Sequence, residues 1–176
     1  EESLQKYFNP RLQGLVYRAT GEIYSSECLF NDALTLYLKA KDAFDIAELP
    51  LHKAYVQLEI AQMYNKMRLY DEAINNLSIA EGLAVELDDA ELLNMVLSEL
   101  ALVYVQIDDF NNCRRVLEQI NLEASHARSI CYYHCINAIL YAYNGDYKSA
   151  EETICLAEQQ TIVDQMFIHY TKYRIS

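Results

Sequence analysis

Tyrosines stand forty residues apart at Tyr24, Tyr64 and Tyr104, and a fourth, Tyr141, follows after thirty-seven. Each has the same surroundings. A small residue lies three positions before it (Gly21, Ala61, Ala101, Ala138), and an aromatic six positions after it (Phe30, Tyr70, Phe110, Tyr147). Another small residue follows at nine (Ala33, Ala73, Cys113, Ala150), and an apolar one at sixteen (Ala40, Ala80, Ile120, Ala157). A nearly fixed period of this length predicts a helical solenoid, because one helix pair cannot bury its apolar face without its neighbours. Such arrays are usually binding scaffolds rather than catalysts.

Composition agrees with helix. The chain has 176 residues, enough for one domain or for four or five helical hairpins. Four glycines and two prolines are too few for a turn-rich β chain. The formal charge of −12, from 26 acidic and 14 basic residues, speaks against a nucleic-acid surface and against anionic membranes. A basic or neutral peptide suits it better. The five cysteines form an odd set without the spacing of a disulfide framework, which points to a reducing, cytoplasmic setting. No apolar run is long enough to span a bilayer. The chain starts at Glu1-Glu2 without a signal-peptide pattern and reads as a piece of a longer protein.

Along the chain, Asn9-Pro10 predicts an N-cap and a first helical residue, with a helix to about Ser26 whose apolar face is Leu15, Ala19 and Ile23. Glu1 to Phe8 reads as the tail of an earlier helix. Asn31-Asp32 starts a second helix that turns Leu34, Tyr37, Leu38, Ala43 and Phe44 towards its partner. Pro50 opens a third, roughly Leu51 to Lys66, and Met67-Arg68-Leu69 leads into Tyr70 to about Leu87. Asp88-Asp89 caps Ala90 to Gln106, and Asp108-Asp109 starts a shorter helix ending near Ile120. Asn121 to Ala127 is a connection, after which a helix runs to Tyr143. Asn144-Gly145-Asp146 is a turn, Tyr147 to Gln160 is helical, and Val163 to Ile175 begins a fifth unit.

These landmarks resemble the tetratricopeptide repeat (TPR). The first unit carries Tyr17, Gly21, Tyr24, Phe30, Ala33, Tyr37 and Ala40; the second keeps Ala61, Tyr64, Tyr70, Ala73, Leu77 and Ala80. The third has Ala101, Tyr104 and Phe110, and the fourth Ala138, Tyr141, Gly145, Tyr147, Ala150 and Ala157. Two departures stand out. The spacing exceeds the roughly 34 residues of the standard repeat, and a closing proline is mostly absent. Helices longer by a turn account for the first. A HEAT or armadillo array, with a period of roughly 40–47 residues, is the competing fold.

The resemblance implies an all-α, right-handed superhelical solenoid of antiparallel helix pairs. It places repeats at about 10–49, 50–88, 89–122 and 123–160 and a terminal helix at 162–176, together one domain over 1–176. It also implies that the first helix of each pair lines a concave groove. Facing it would be Arg18, Glu22 and Ser25, then Tyr55, Glu59, Gln62, Asn65 and Lys66, then Met95, Glu99 and Gln106, and Tyr132 with Cys135 and Ile139. Glu22, Glu59 and Glu99 would repel the carboxylate that some members of the family clamp on a chaperone tail. The implied function is a protein or peptide-binding scaffold. The phrase from Glu86 to Leu92 and the turn Gly145-Asp146-Tyr147 resemble bacterial arrays that serve as sensory or regulatory segments of a diguanylate cyclase or a DNA-binding protein, which is the alternative.

Chemistry is sparse. Cys131, His134 and Cys135 share a helix, yet a structural zinc takes four tetrahedral ligands, and these three also occupy packing positions. No phosphate loop, nucleophile elbow or zinc-protease helix is present. Neither a metal nor a cofactor is expected, and no enzymatic activity. An uncovered apolar end near Val163 to Ile175 makes a homodimer a further expectation.

Overall fold

The computed structural model describes residues 9–125, 127–159 and 165–175. Every regular element among them is helical: α1 Pro10–Ser26, α2 Phe30–Ile46, α3 Pro50–Lys66, α4 Tyr70–Glu86, α5 Ala90–Gln106, α6 Phe110–Leu117, a 3-10 turn Leu122–Ala124, α7 Ala127–Tyr143, α8 Tyr147–Gln159 and α9 Gln165–Ile175. The chain is an all-α repeat of successive antiparallel helix pairs. It divides into two compact units, Glu1–Asp88 and Asp89–Ser176, and the boundary falls where the sequence closes its second repeat. The expected helical tail over 1–8 lies outside the described residues.

The forty-residue period has a simple origin. α1 to α5 are each 17 residues long, and three residues join each to the next. The joints within each unit share one hydrogen-bond pattern. At the end of α1, Glu27 N–H donates to Ile23 O and Leu29 N–H to Tyr24 O at 2.9 Å. This is the Schellman arrangement, in which a residue of positive φ turns the chain so that orphan helix carbonyls find donors. The middle residues Cys28, Glu48, Arg68, Asp88 and Asp108 have φ of 53–61°, spaced every twenty residues, and Gly145 repeats the motif at 81°. The closing bonds of the first helices are accepted by Tyr24 O, Tyr64 O, Tyr104 O and Tyr141 O. The tyrosine period is therefore the period of the turn. Side chains other than glycine in this region cost on the order of 1 kcal/mol each, which the docked helices on either side must offset.

In the first unit, α1 pairs with α2, α2 with α3, and α3 with α4. The core gathers Ala33, Tyr37, Ala40, Phe44, Val56, Ile60 and Met63. The landmark alanines Ala33, Ala40, Ala73 and Ala80 are fully buried, as the pattern requires. One expectation fails: Ala19 is exposed and Ile23, 58% exposed, lies outside with Leu12 and Val16. The contact face of α1 combines Leu15, Tyr17 and Tyr24, which pack on the core, with Gly14 and Gly21, seven residues (two turns) apart. A Cβ on Gly14 would stand 2.5 Å from the Phe44 ring, and one on Gly21 2.8 Å from Tyr37, so the rings of α2 occupy that space. Leu38 likewise faces outwards, while Tyr37, Ala43 and Phe44 point inwards. The second helix starts at Phe30 rather than Asn31; Leu29 holds its N-cap position without a side-chain bond.

In the second unit, α5 packs on α6 and α7, α7 on α8, and α9 on both α7 and α8. Asp89, Asp109 and Asp146 cap α5, α6 and α8 by accepting from backbone N–H groups at 2.9, 3.2 and 3.1 Å. Cys113, Ala150 and Ala157 take the buried landmark positions. The shortened fourth interval arises at α6, which stops at Leu117, so that Ile120 sits in a connection and not in a helix. Seventeen positions separate the start of α6 from that of α7, where the earlier units use twenty. The replacement is pinned by Asn94, which sits where Gly14 and Ala54 stand in the earlier units. Its Nδ2 donates to Asn121 O at 2.9 Å, and its Oδ1 accepts from Asn121 N–H at 3.0 Å. Asn94 is buried, and Asn94→Ala strands the Asn121 N–H while Asn121 O keeps the Ser125 hydroxyl at 2.8 Å, so it should cost about 1–2 kcal/mol. Urea titration measures this; unchanged stability would show that the connection supports itself.

Candidate functional site

The positions implied for a groove are brought together most closely in the first unit. Arg18 and Glu22 lie one turn apart on α1; Tyr55, Glu59 and Gln62 follow at turn spacing on α3, with Asn65 beyond them. Arg18 Nε donates to Glu59 Oε1 at 2.8 Å and Oε2 at 3.0 Å, and its Nη2 donates to Oε1 at 2.6 Å. The same guanidinium lies 3.6 Å from Glu22 and 5.7 Å from the centre of the Tyr55 ring. At the other end, Lys66 Nζ donates to Ser25 Oγ at 3.1 Å and stands over Phe30. These are two separate polar contacts between α1 and α3, one at Arg18 and Glu59 and one at Ser25 and Lys66.

Its electrostatics follow from how deep it sits. The Arg18 and Glu59 side chains are only 29% and 15% exposed. Burial pushes the Glu59 carboxyl above its ordinary range, Arg18 draws it back through a charged hydrogen bond, and Glu22 adds a smaller upward push. The balance remains upward. Burial acts first on Arg18 as well, but the bond to Glu59 leaves its guanidinium even harder to deprotonate. Beneath them the Tyr37 hydroxyl is pushed well up by burial, with Glu59 and Glu22 adding to it. Gly21 makes room for that ring, so a missing Cβ on α1 helps to set the floor of the polar face.

Glu59 is therefore committed to Arg18. A Glu59→Lys substitution would oppose Arg18 and disturb the fold. Glu22 is the exposed acid here. Asn65 Oδ1 is buried and has no hydrogen-bond partner among the described residues. Nearby, Gln57 is buried and donates to Asn76 Oδ1 at 2.5 Å, tying α3 to α4. His52, against the Phe44 ring at 5.0 Å, is held below its usual range by burial and by Arg11 and Arg18.

In the second unit, Met95, Glu99 and Gln106 are half-buried along α5. Tyr132 is 8% exposed, and Cys135 and Ile139 are in the core, so α7 offers much less of a surface than its register implies. α7 carries small and aliphatic residues at those places, and they seat it against its neighbours. Cys131 and Cys135 belong to the core cluster with Ile154 and Ile168. His134 packs edge-on to Tyr133, and burial lowers its basicity. Burial likewise pushes the Cys113 thiol up to about 12, which keeps it protonated and unreactive. No group of three or more potential metal ligands occurs among the described residues. No helix among them is long and apolar enough to cross a membrane.

Sequence reasoning found both ends of the Arg18–Glu59 pair and missed the pair itself. The signal was present: the two are 41 residues apart, one period plus one position, which sets them side by side when consecutive first helices align. It also placed Lys66 in the groove, and it missed Tyr37 and the Asn94 clamp as polar elements.

The molecule so described belongs to the class of all-α helix-pair repeats. No family model and no curated protein matches this chain. Among solved structures it is similar to the crystal structure of BtubC (BKLC) from P. vanneervenii, with a TM-score of 0.71 at 16% sequence identity. The match covers 86% of this chain and 64% of that one, so this chain spans less than two thirds of that protein's length. At that identity the likeness establishes the fold alone.

Proposed function

We propose that the chain is a non-catalytic protein–protein interaction scaffold of tetratricopeptide type, and that a peptide or protein segment docks across α1 and α3. The observation that carries this reading is the pair of polar contacts between α1 and α3, Arg18 with Glu59 and Lys66 with Ser25. It orders two neighbouring first helices and keeps Glu22, Gln62 and Asn65 beside it. Long polar side chains lose rotamer freedom when ordered, so a face already held by ion pairs costs a ligand less to engage. Asn65 Oδ1 supports the same reading, because a buried acceptor without a donor is expensive and an incoming N–H group relieves it. The exposed Glu22 favours a partner that carries a basic residue.

The test is hydrogen exchange of the chain with and without a partner obtained by affinity capture. Protection is expected on α1 and α3, and Glu22→Gln, which removes the exposed acid without adding a cation beside Arg18, should weaken capture several-fold while leaving the melting curve in place. Equal capture by this variant, or protection confined to other helices, would overturn the assignment.

A further inference from the structure

Among the described residues, α8 and α9 leave an exposed face on the second unit. α9 docks on α7 and α8 through Ile168 and Thr171, both buried. Beside this contact a cleft of about 430 Å³ runs between α8 and α9, lined by Tyr147, Glu151, Ile154, Cys155, Lys172 and Ile175. Ile154 and Ile175 make it apolar, and Tyr147, Leu156 and Tyr173 are exposed around it. Tyrosine suits such a place, since its ring is buried readily while its hydroxyl stays wet.

The charges on this face are sorted by helix. α9 carries Lys172 and Arg174 and no acidic residue, in a chain where acids outnumber bases 26 to 14. α8, alongside, carries Glu151, Glu152 and Glu158, and its one base, Lys148, is paired with Glu152 at 3.8 Å. Arg174 is tied to Asp108 at 2.8 Å and Lys172 to Glu158 at 2.6 Å. An ammonium has three donors, and the Lys172 side chain is about half exposed, so it can take a second carboxylate. Glu151 is exposed on the same cleft.

We propose that this face is a twofold dimer interface, in which α9 of one copy lies along the α8/α9 cleft of a second copy and Lys172 meets the partner's Glu151. A twofold axis forms every contact twice, so it demands a surface that complements itself. Adjacent strips of opposite charge flanking an apolar cleft meet that demand within one chain. The interface is separate from the polar face of α1 and α3, and it stands or falls independently of the scaffold reading.

Light scattering of the eluting chain at about 0.15 M salt, where surface charges still act within about 8 Å, is the test. The wild type should move from the 20.4 kDa chain mass towards twice that value as concentration rises. Glu151→Lys, at an exposed position, should weaken the dimer at least about tenfold, as should Lys172→Glu. An equimolar mixture of the two variants should dimerise again, because each unlike pair is restored across the interface. Maleimide labelling of Cys155 should slow with concentration in the wild type and not in Glu151→Lys. A wild type that stays monomeric at high concentration overturns the proposal. So does a dimer indifferent to Glu151→Lys, or a mass that grows without limit, which would mean head-to-tail contact through the exposed Leu12, Val16 and Ile23 of α1.

Discussion

Arg18→Met is expected to destabilise the first unit by about 2–3 kcal/mol, somewhat less than for a fully enclosed pair because part of the guanidinium is in water. The loss comes from Glu59, whose carboxylate would stay largely buried without its fork of donors. Its pKa, already above the ordinary value, would rise further. The sign of the pH dependence follows. A carboxyl whose folded pKa exceeds its unfolded one binds its proton more tightly in the folded state, so stability is gained as the pH falls through the folded value. The gap between variant and wild type should be widest near neutrality and should close towards about pH 4, where glutamate is protonated in both states. Arg18→Met combined with Glu59→Leu should recover most of the loss, because two apolar side chains replace a pair rather than orphan one member. Urea titrations at pH 7 and pH 4.5 read both effects. A single variant as stable as wild type at pH 7, or a loss independent of pH, would show that the bridge holds nothing together.

The second large effect concerns space. Gly14→Leu should cost about 3 kcal/mol, since a Cβ at this position already lies 2.5–2.9 Å from three atoms of the Phe44 ring. Phe44 is fully buried and cannot swing into water. Gly14→Leu with Phe44→Ala should recover part of the loss by returning volume to the same contact. Gly82 provides the contrast. It lies in α4, is exposed, and a Cβ there meets nothing within 4 Å. Gly82→Ala should therefore stabilise by up to about 1 kcal/mol through helix propensity alone. Thermal melts of the two variants side by side check this. If Gly14→Leu is tolerated as well as Gly82→Ala, then α1 and α2 are packed less closely than the Phe44 contact indicates.

Both cases show what could be read from the chain and what could not. The small residues at Gly21, Ala61, Ala33, Ala40, Ala73 and Ala80 announced where helices meet, because a backbone approaches closely only where side chains are short. Most helix bounds were legible to within a residue or two, since Pro10, Pro50 and Asp89 mark starts, but α6 ends at Leu117, three residues before the expected Ile120. The face of α1 was read correctly at Leu15, which packs on the core, and misjudged at Ala19 and Ile23, because a count of apolar residues passes over Gly14, which receives the ring of Phe44. The shortened α6 was visible as an irregular interval. Its stabilisation by Asn94 was not, because a hydrogen bond across 27 residues depends on where the connection returns.

The amino-acid order alone determined that helices of equal length recur with one kind of turn between them, since period, caps and small residues are local and repeat. Tertiary structure decided which polar residues are spoken for. Glu22 and Glu59 have the same chemistry and neighbouring registers, yet one is exposed and the other lies under Arg18. Burial and Coulomb attraction depend on distances between different helices, and only docking them sets those distances.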